Sequence, residues 1–142
     1  MKSDFSKLFI FSAQSILVVT GAAKVFSATG DASILNIPDP VFGLKYAVLM
    51  FVVGLTEILA SISLFVIKPL WIRYSVIFCF GFGFFLYNLS LSINRLDQWC
   101  PCLGTLTDRL RLNPTLIHRA LGAVVLYLIL GSLIGIFCPR RI

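Results

Sequence analysis

Four apolar stretches dominate this chain, running roughly over residues 8–28, 46–67, 71–93 and 116–138. Each is close to the ~20 residues that a helix needs to cross a ~30 Å hydrocarbon core. Lipid offers no water to satisfy a backbone, so each stretch must close its own hydrogen bonds as an α-helix. The predicted fold is an all-α membrane protein, a single transmembrane domain over residues 1–142 built as a four-transmembrane-helix bundle. Composition agrees with this: 58% of the 142 residues are hydrophobic and 13% are charged, and the mean hydropathy is +0.96. Twelve basic and six acidic side chains are too few to cover the core of a water-soluble domain of this size.

The breaks between the stretches carry turn chemistry. Gly30-Asp31, Pro38-Asp39-Pro40 and Gly43 follow the first, Lys68-Pro69 follows the second, and Pro101, Gly104 and Asn113-Pro114 precede the fourth. Asn113 is a natural cap, and Pro114 suits a first helical turn because its missing amide hydrogen would be orphaned there anyway. Thr105, followed three residues on by Asp108, predicts a short interfacial helix between helices 3 and 4, reaching to about Leu112. A cleaved signal peptide is the competing reading of the first stretch, with Lys2 and Lys7 ahead of it and Phe26-Ser27-Ala28 as an exit. Its length, Gln14 within it and Lys24 near its end argue against that reading.

The net charge of +6 raises nucleic acid as a partner. The basic residues, however, stand singly or in pairs beside apolar runs and form no patch interleaved with aromatics, which points to membrane edges and no nucleic acid. With four spans, the termini share a side with Lys68 and Arg73. Basic residues then divide evenly: Lys2, Lys7, Lys68, Arg73, Arg140 and Arg141 on that side, against Lys24, Lys45, Arg95, Arg109, Arg111 and Arg119 on the other. Asp31, Asp39, Asp97 and Asp108 all fall on the second side, and the expected orientation has the termini in the cytoplasm.

Cys100-Pro101-Cys102 lies in the connection between the third and fourth spans. Two thiols one residue apart close only into a strained ring, and strain makes a disulfide easy to reduce, which suits an exchangeable bond. Arg95 and the start of the predicted interfacial helix are placed to lower a thiol pKa. Two unremarkable loop cysteines remain the bland alternative. A metal half-site is another: Cys100, Cys102 and His118 with Asp97 or Asp108 include ligands that suit zinc or copper, but a single His near a helix start is more often an interfacial hydrogen-bonding residue, and no metal is expected. Cys138 lies ~35 Å along the fourth helix from Pro114, too far to pair with Cys100 or Cys102. Cys79 reads as an apolar packing residue.

Glu57 falls near the middle of the second span, where a bare charge is costly and an ionisable residue is a functional candidate by default. Lys24 can snorkel to the surface or approach Glu57. Alternatively Glu57 only ties helices together through Gln14, Tyr87 or Asn88. In the third span Asn88, Ser92 and Arg95 share a helical face, which can hold a headgroup, a quinone carbonyl or simply neighbouring helices.

Taken together, Gly21-Ala22-Ala23-Lys24-Val25-Phe26, Pro38-Asp39-Pro40, Glu57 and Cys100-Pro101-Cys102-Leu103-Gly104 resemble the MauE branch of the DoxX-like four-helix membrane proteins. The likeness covers nearly the whole chain, and its most specific element is the Cys-x-Cys-x-Gly motif. The resemblance implies a protein of the bacterial inner membrane, redox-active through Cys100 and Cys102 on the periplasmic side. It further implies a thioredoxin-like partner during maturation of disulfide-containing proteins, with a quinone as an acceptor by analogy. Many members carry Gly-Cys-Phe-Gly after the first cysteine, where this chain has Pro101-Cys102-Leu103-Gly104.

Overall fold

A computed structural model describes residues 2–30, 33–93 and 114–137, with the side chains of residues 2–5, 33, 34 and 114–118 outside that description. Its long helices are α1 (Lys2–Ala28), α2 (Tyr46–Val66), α3 (Leu70–Ile93) and α4 (Pro114–Phe137), with one 3₁₀ turn at Ser33–Asn36. The described residues contain no β-strand, only a bridge between Pro38 and Lys45. All four helices hold a stretch long and apolar enough to cross a membrane: Ser6–Ala28, Tyr46–Val66, Leu70–Ile93 and Arg119–Phe137. The chain is a four-helix multi-pass membrane protein. Residues 105–112, where the interfacial helix was expected, lie outside the described residues.

The helix ends follow the sequence punctuation. α4 starts at Pro114 as expected, and α2 stops at Val66 ahead of Lys68-Pro69. There Arg73 donates from Nε to the Ile67 carbonyl, satisfying an acceptor that the ended helix leaves free. α1 begins earlier than its apolar stretch, at Lys2, because helical hydrogen bonding continues through polar residues past the membrane edge.

The helices pack chiefly as two pairs, α1 with α2 and α3 with α4. Near the end that holds the chain termini the pairs meet in one core: Phe9, Ala13 and Leu17 of α1, Leu64 of α2, Tyr74 and Ile77 of α3, and Leu128 of α4. The Phe9 ring stacks on Tyr74 with centroids 5.8 Å apart and tilts against Tyr127 at 5.3 Å. Ser12 and Tyr127 share a hydroxyl hydrogen bond of 2.7 Å across the α1–α4 boundary. Outward faces carry exposed Phe11, Val19, Phe65, Leu86, Leu130 and Phe137, the side chains that lipid would cover. The polar groups Glu57, Ser61, Lys24 and Ser132 are buried inside, the inverse of a water-soluble domain.

Candidate functional site

The α1–α2 contact is built on two glycines. A Cβ on Gly21 would sit 2.8 Å from the Gly54 carbonyl oxygen, and one on Gly54 would sit 2.7 Å from that of Gly21. Small residues let membrane helices approach this closely. Each glycine also makes room for the other helix's ionisable side chain: the Gly54 position faces the Lys24 Cβ at 3.0 Å, and Gly21 faces the Glu57 Cβ at 3.1 Å. The spacing is the same on both helices, Gly21 and Lys24 three apart on α1, Gly54 and Glu57 three apart on α2.

Seated in this way, Lys24 Nζ and Glu57 Oε1 meet at 2.5 Å. Glu57 is fully buried and Lys24 is 8% exposed. Thr20 Oγ1 lies 2.8 Å from Glu57 Oε2 and as close to the Ile16 carbonyl, so its single proton has two acceptors. The Lys24 ammonium also sits 4.9 Å from the centre of the Phe84 ring, a cation–π contact that ties the first helix pair to α3. Of the two expectations for Lys24, approach to Glu57 is the one realised. The hydroxyl partner of Glu57 is Thr20, rather than Gln14, Tyr87 or Asn88. Gln14 instead accepts a 3.2 Å hydrogen bond from Ser61 through its backbone carbonyl, while Asn88 donates from Nδ2 to the Phe84 carbonyl at 2.8 Å.

A second polar cluster closes the same end of the bundle. Asp39, 1% exposed, accepts through Oδ1 from the backbone amides of Val41 at 2.9 Å and Phe42 at 2.8 Å, an Asx turn. Gly43 takes φ +68°, a left-handed conformation that glycine adopts without steric cost, and its amide donates to the Asp39 carbonyl at 2.8 Å. Asp39 Oδ2 then accepts from Tyr87 of α3 at 2.6 Å, and Phe42 stacks on the Tyr87 ring at 6.2 Å. The loop is thereby fastened to the third helix. Tyr46, 2% exposed, completes the cluster: its hydroxyl lies beside the Tyr87 hydroxyl and the Asp39 carboxylate and interacts with both, though neither contact has full hydrogen-bond geometry.

Between the two helix pairs, next to both clusters, lies a cavity of about 470 Å³ lined from all four helices. Lys24, Tyr46, Tyr87 and Asn88 contribute to its wall, and Phe80 and Phe84 give it aromatic faces. Cys79, expected as a packing residue, is exposed and also lines this space: the pairs separate at its level, so no neighbour covers it.

Cys100, Cys102 and Arg95, like Asp97 and Asp108, lie outside the described residues, as does the side chain of His118. Among the described residues no group of three or more His, Cys, Asp or Glu could hold a metal ion. Thr20, Asp39 and Tyr46 were not singled out from sequence. Pro38-Asp39-Pro40 with Gly43 was a readable Asx-turn signal, and Thr20 is four residues from Lys24 on one helix face. Comparison with protein-family models, with curated proteins and with solved structures finds no match to this chain, and the site rests on its own residues.

Proposed function

We propose that this chain is a thiol–disulfide redox protein of a bacterial inner membrane, in which Cys100 and Cys102 exchange electrons with a thioredoxin-like partner outside the cytoplasm while disulfide-containing proteins mature. The observation that carries this reading is the Cys100-Pro101-Cys102 spacing in the connection between the third and fourth spans. The resemblance to the MauE branch of the DoxX-like proteins supports it, and the four-helix multi-pass fold agrees with that likeness. Ile93, the last described residue of α3, lies about one turn and a half beyond Tyr87, at the end of the bundle where Asp39 and Tyr46 lie.

The chemistry is exchange. A partner thiolate attacks one sulfur of the Cys100–Cys102 disulfide, the second cysteine leaves as thiolate, and a mixed disulfide joins the two proteins. The partner's second thiolate then attacks that bond and releases its own disulfide. Two electrons pass from the partner's dithiol to this chain, which ends as the dithiol. Arg95 would favour thiolate at either cysteine. The exchange also runs in reverse. In a Cys100→Ser or Cys102→Ser variant the remaining thiolate attacks the disulfide of an oxidised partner, and one partner sulfur leaves as thiolate. This chain then lacks the second thiol that would release the partner, so one of the two variants is expected to hold it covalently. Non-reducing electrophoresis of membranes detects the adduct, and absence of any adduct with both variants contradicts the proposal.

The cavity favours a second reading, a non-catalytic membrane subunit that holds a lipid or quinone. In that case replacing both Cys100 and Cys102 by Ser leaves activity intact, while Glu57→Gln impairs it.

A further inference from the structure

We infer that the contact of Asp39 with Tyr87 is a latch: the two helix pairs pivot about the core at the end that holds the termini, and this contact fastens them at the other end. The device depends neither on the cysteine pair nor on any occupant of the cavity.

Each pair is built to move as a body. In the first, the backbones meet at Gly21 and Gly54, the Lys24–Glu57 ion pair lies along the seam, and Ser61 donates to the Gln14 carbonyl. In the second, a Cβ on Gly81 of α3 would lie 3.2 Å from Leu128 and Ile129 of α4, and Gly135 receives the Tyr74 ring. Elements packed this closely shift between discrete arrangements rather than deform. Contacts between helices of different pairs, by contrast, are sparse.

The two ends are fastened differently. At the terminal end the Phe9 ring of α1 fills the space over Gly131 of α4 and stacks on Tyr74. Apolar burial is non-directional and survives a small rotation, which suits a pivot. At the other end the fastening is polar and narrow. The strap of residues 37–45 belongs to the α1–α2 body, because the Tyr46 amide donates to the Ile37 carbonyl at 3.1 Å and the Asp39 amide to the Leu44 carbonyl at 2.7 Å. From this strap Asp39 reaches Tyr87 of α3, and Phe42 stacks on the same ring. Lys24 adds its contact with the Phe84 ring. Between the two ends the pairs stand apart: Cys79 is exposed, and a Cβ on Gly83 meets nothing within 4 Å. A hydrogen bond is lost once its atoms part beyond about 3.5 Å, so the polar end is the one that opens. Opening would widen the space at Cys79 and Gly83 and swing the Ile93 end of α3 away from the strap.

Distances between spin labels, measured by double electron–electron resonance on the full chain in lipid nanodiscs, test the latch. All four cysteines are first replaced by Ser, so the outcome is separate from the fate of the exchange mechanism. Labels are then attached at exposed positions, through Val48→Cys with Leu89→Cys across the latch end and through Leu8→Cys with Ile134→Cys across the pivot. Tyr87→Phe keeps the ring under Phe42 and removes the hydroxyl. Losing a hydrogen bond to a carboxylate should raise the open population roughly ten- to a hundredfold. The change is read as a second, longer distance between positions 48 and 89, with the distance between positions 8 and 134 unchanged. Phe42→Ala removes a side chain that is 60% exposed, so the bundle core stays intact, and it should open the same end to a smaller degree. Circular dichroism checks the helix content of each variant. A parental distance distribution at the latch end in both variants would overturn the assignment, as would one in Phe42→Ala alone should Tyr87→Phe lose its helices. Equal lengthening of both distances would also overturn it.

Discussion

Replacing Lys24 by Met is expected to destabilise the bundle by about 3–5 kcal/mol, the cost of leaving one partner of a buried ion pair without the other. Glu57 has no exposed surface, and after the change only Thr20 remains within hydrogen-bond distance of its carboxylate. Glu57→Gln should cost less, because a neutral amide still accepts from the ammonium. The double variant Lys24→Met/Glu57→Leu should regain most of the loss, since apolar replacement of a whole buried pair is often neutral or stabilising. Reversible unfolding in mixed micelles measures all three. If both single variants stay within about 0.5 kcal/mol of the parent, the range of ordinary surface changes, the pair is hydrated and the packing described for α1 and α2 is wrong. A recovered double variant that has lost activity would show that the charges serve function beyond holding the helices.

The second large effect concerns the glycines that seat those charges. Gly54→Leu should destabilise by at least ~1–3 kcal/mol from overpacking, and by more where the displaced Lys24 stem pulls its ammonium from Glu57. The Cβ alone would press on the Gly21 carbonyl at 2.7 Å and on the Lys24 Cβ at 3.0 Å, and the first of these is backbone, which yields little. Gly83→Ala provides the contrast. Its Cβ enters open space, so relief of glycine's helix penalty should stabilise α3 by about 0.5–1 kcal/mol. The same class of substitution thus has opposite signs at two helical glycines, and thermal unfolding of the two variants side by side checks both.

How much of this is legible in the sequence depends on how local the signal is. Membrane spans are long-window features, and the four helices fall where hydropathy and the Pro and Gly breaks put them. The exception at α1, whose helix runs back to Lys2, reflects backbone bonding that hydropathy does not register. Glu57 was legible as an anomaly because carboxylates are rare at mid-membrane. Its partnership with Thr20 depends on the rotational register of two helices, which follows from Gly21 meeting Gly54 and from nothing in either segment alone. The Asp39–Tyr87 bond joins residues 48 positions apart, beyond the reach of any periodicity. The cavity was equally hidden, since it exists because the pairs α1–α2 and α3–α4 pack well internally and separate near Cys79. The polar stripe of α3 was visible, but whether Asn88 faced glue or a cavity required the neighbouring helices.

The most direct test of the proposed exchange uses a chain in which Cys79 and Cys138 are replaced by Ser, leaving Cys100 and Cys102 as its thiols. Intact cells are treated with a membrane-impermeant maleimide, with and without prior mild reduction. Oxidised and periplasmic thiols predict labelling from outside only after reduction, two maleimides per chain. Labelling that requires lysis, which would place the pair in the cytoplasm, or full labelling without reduction in cells and in the absence of any thioredoxin-like partner, would contradict the account.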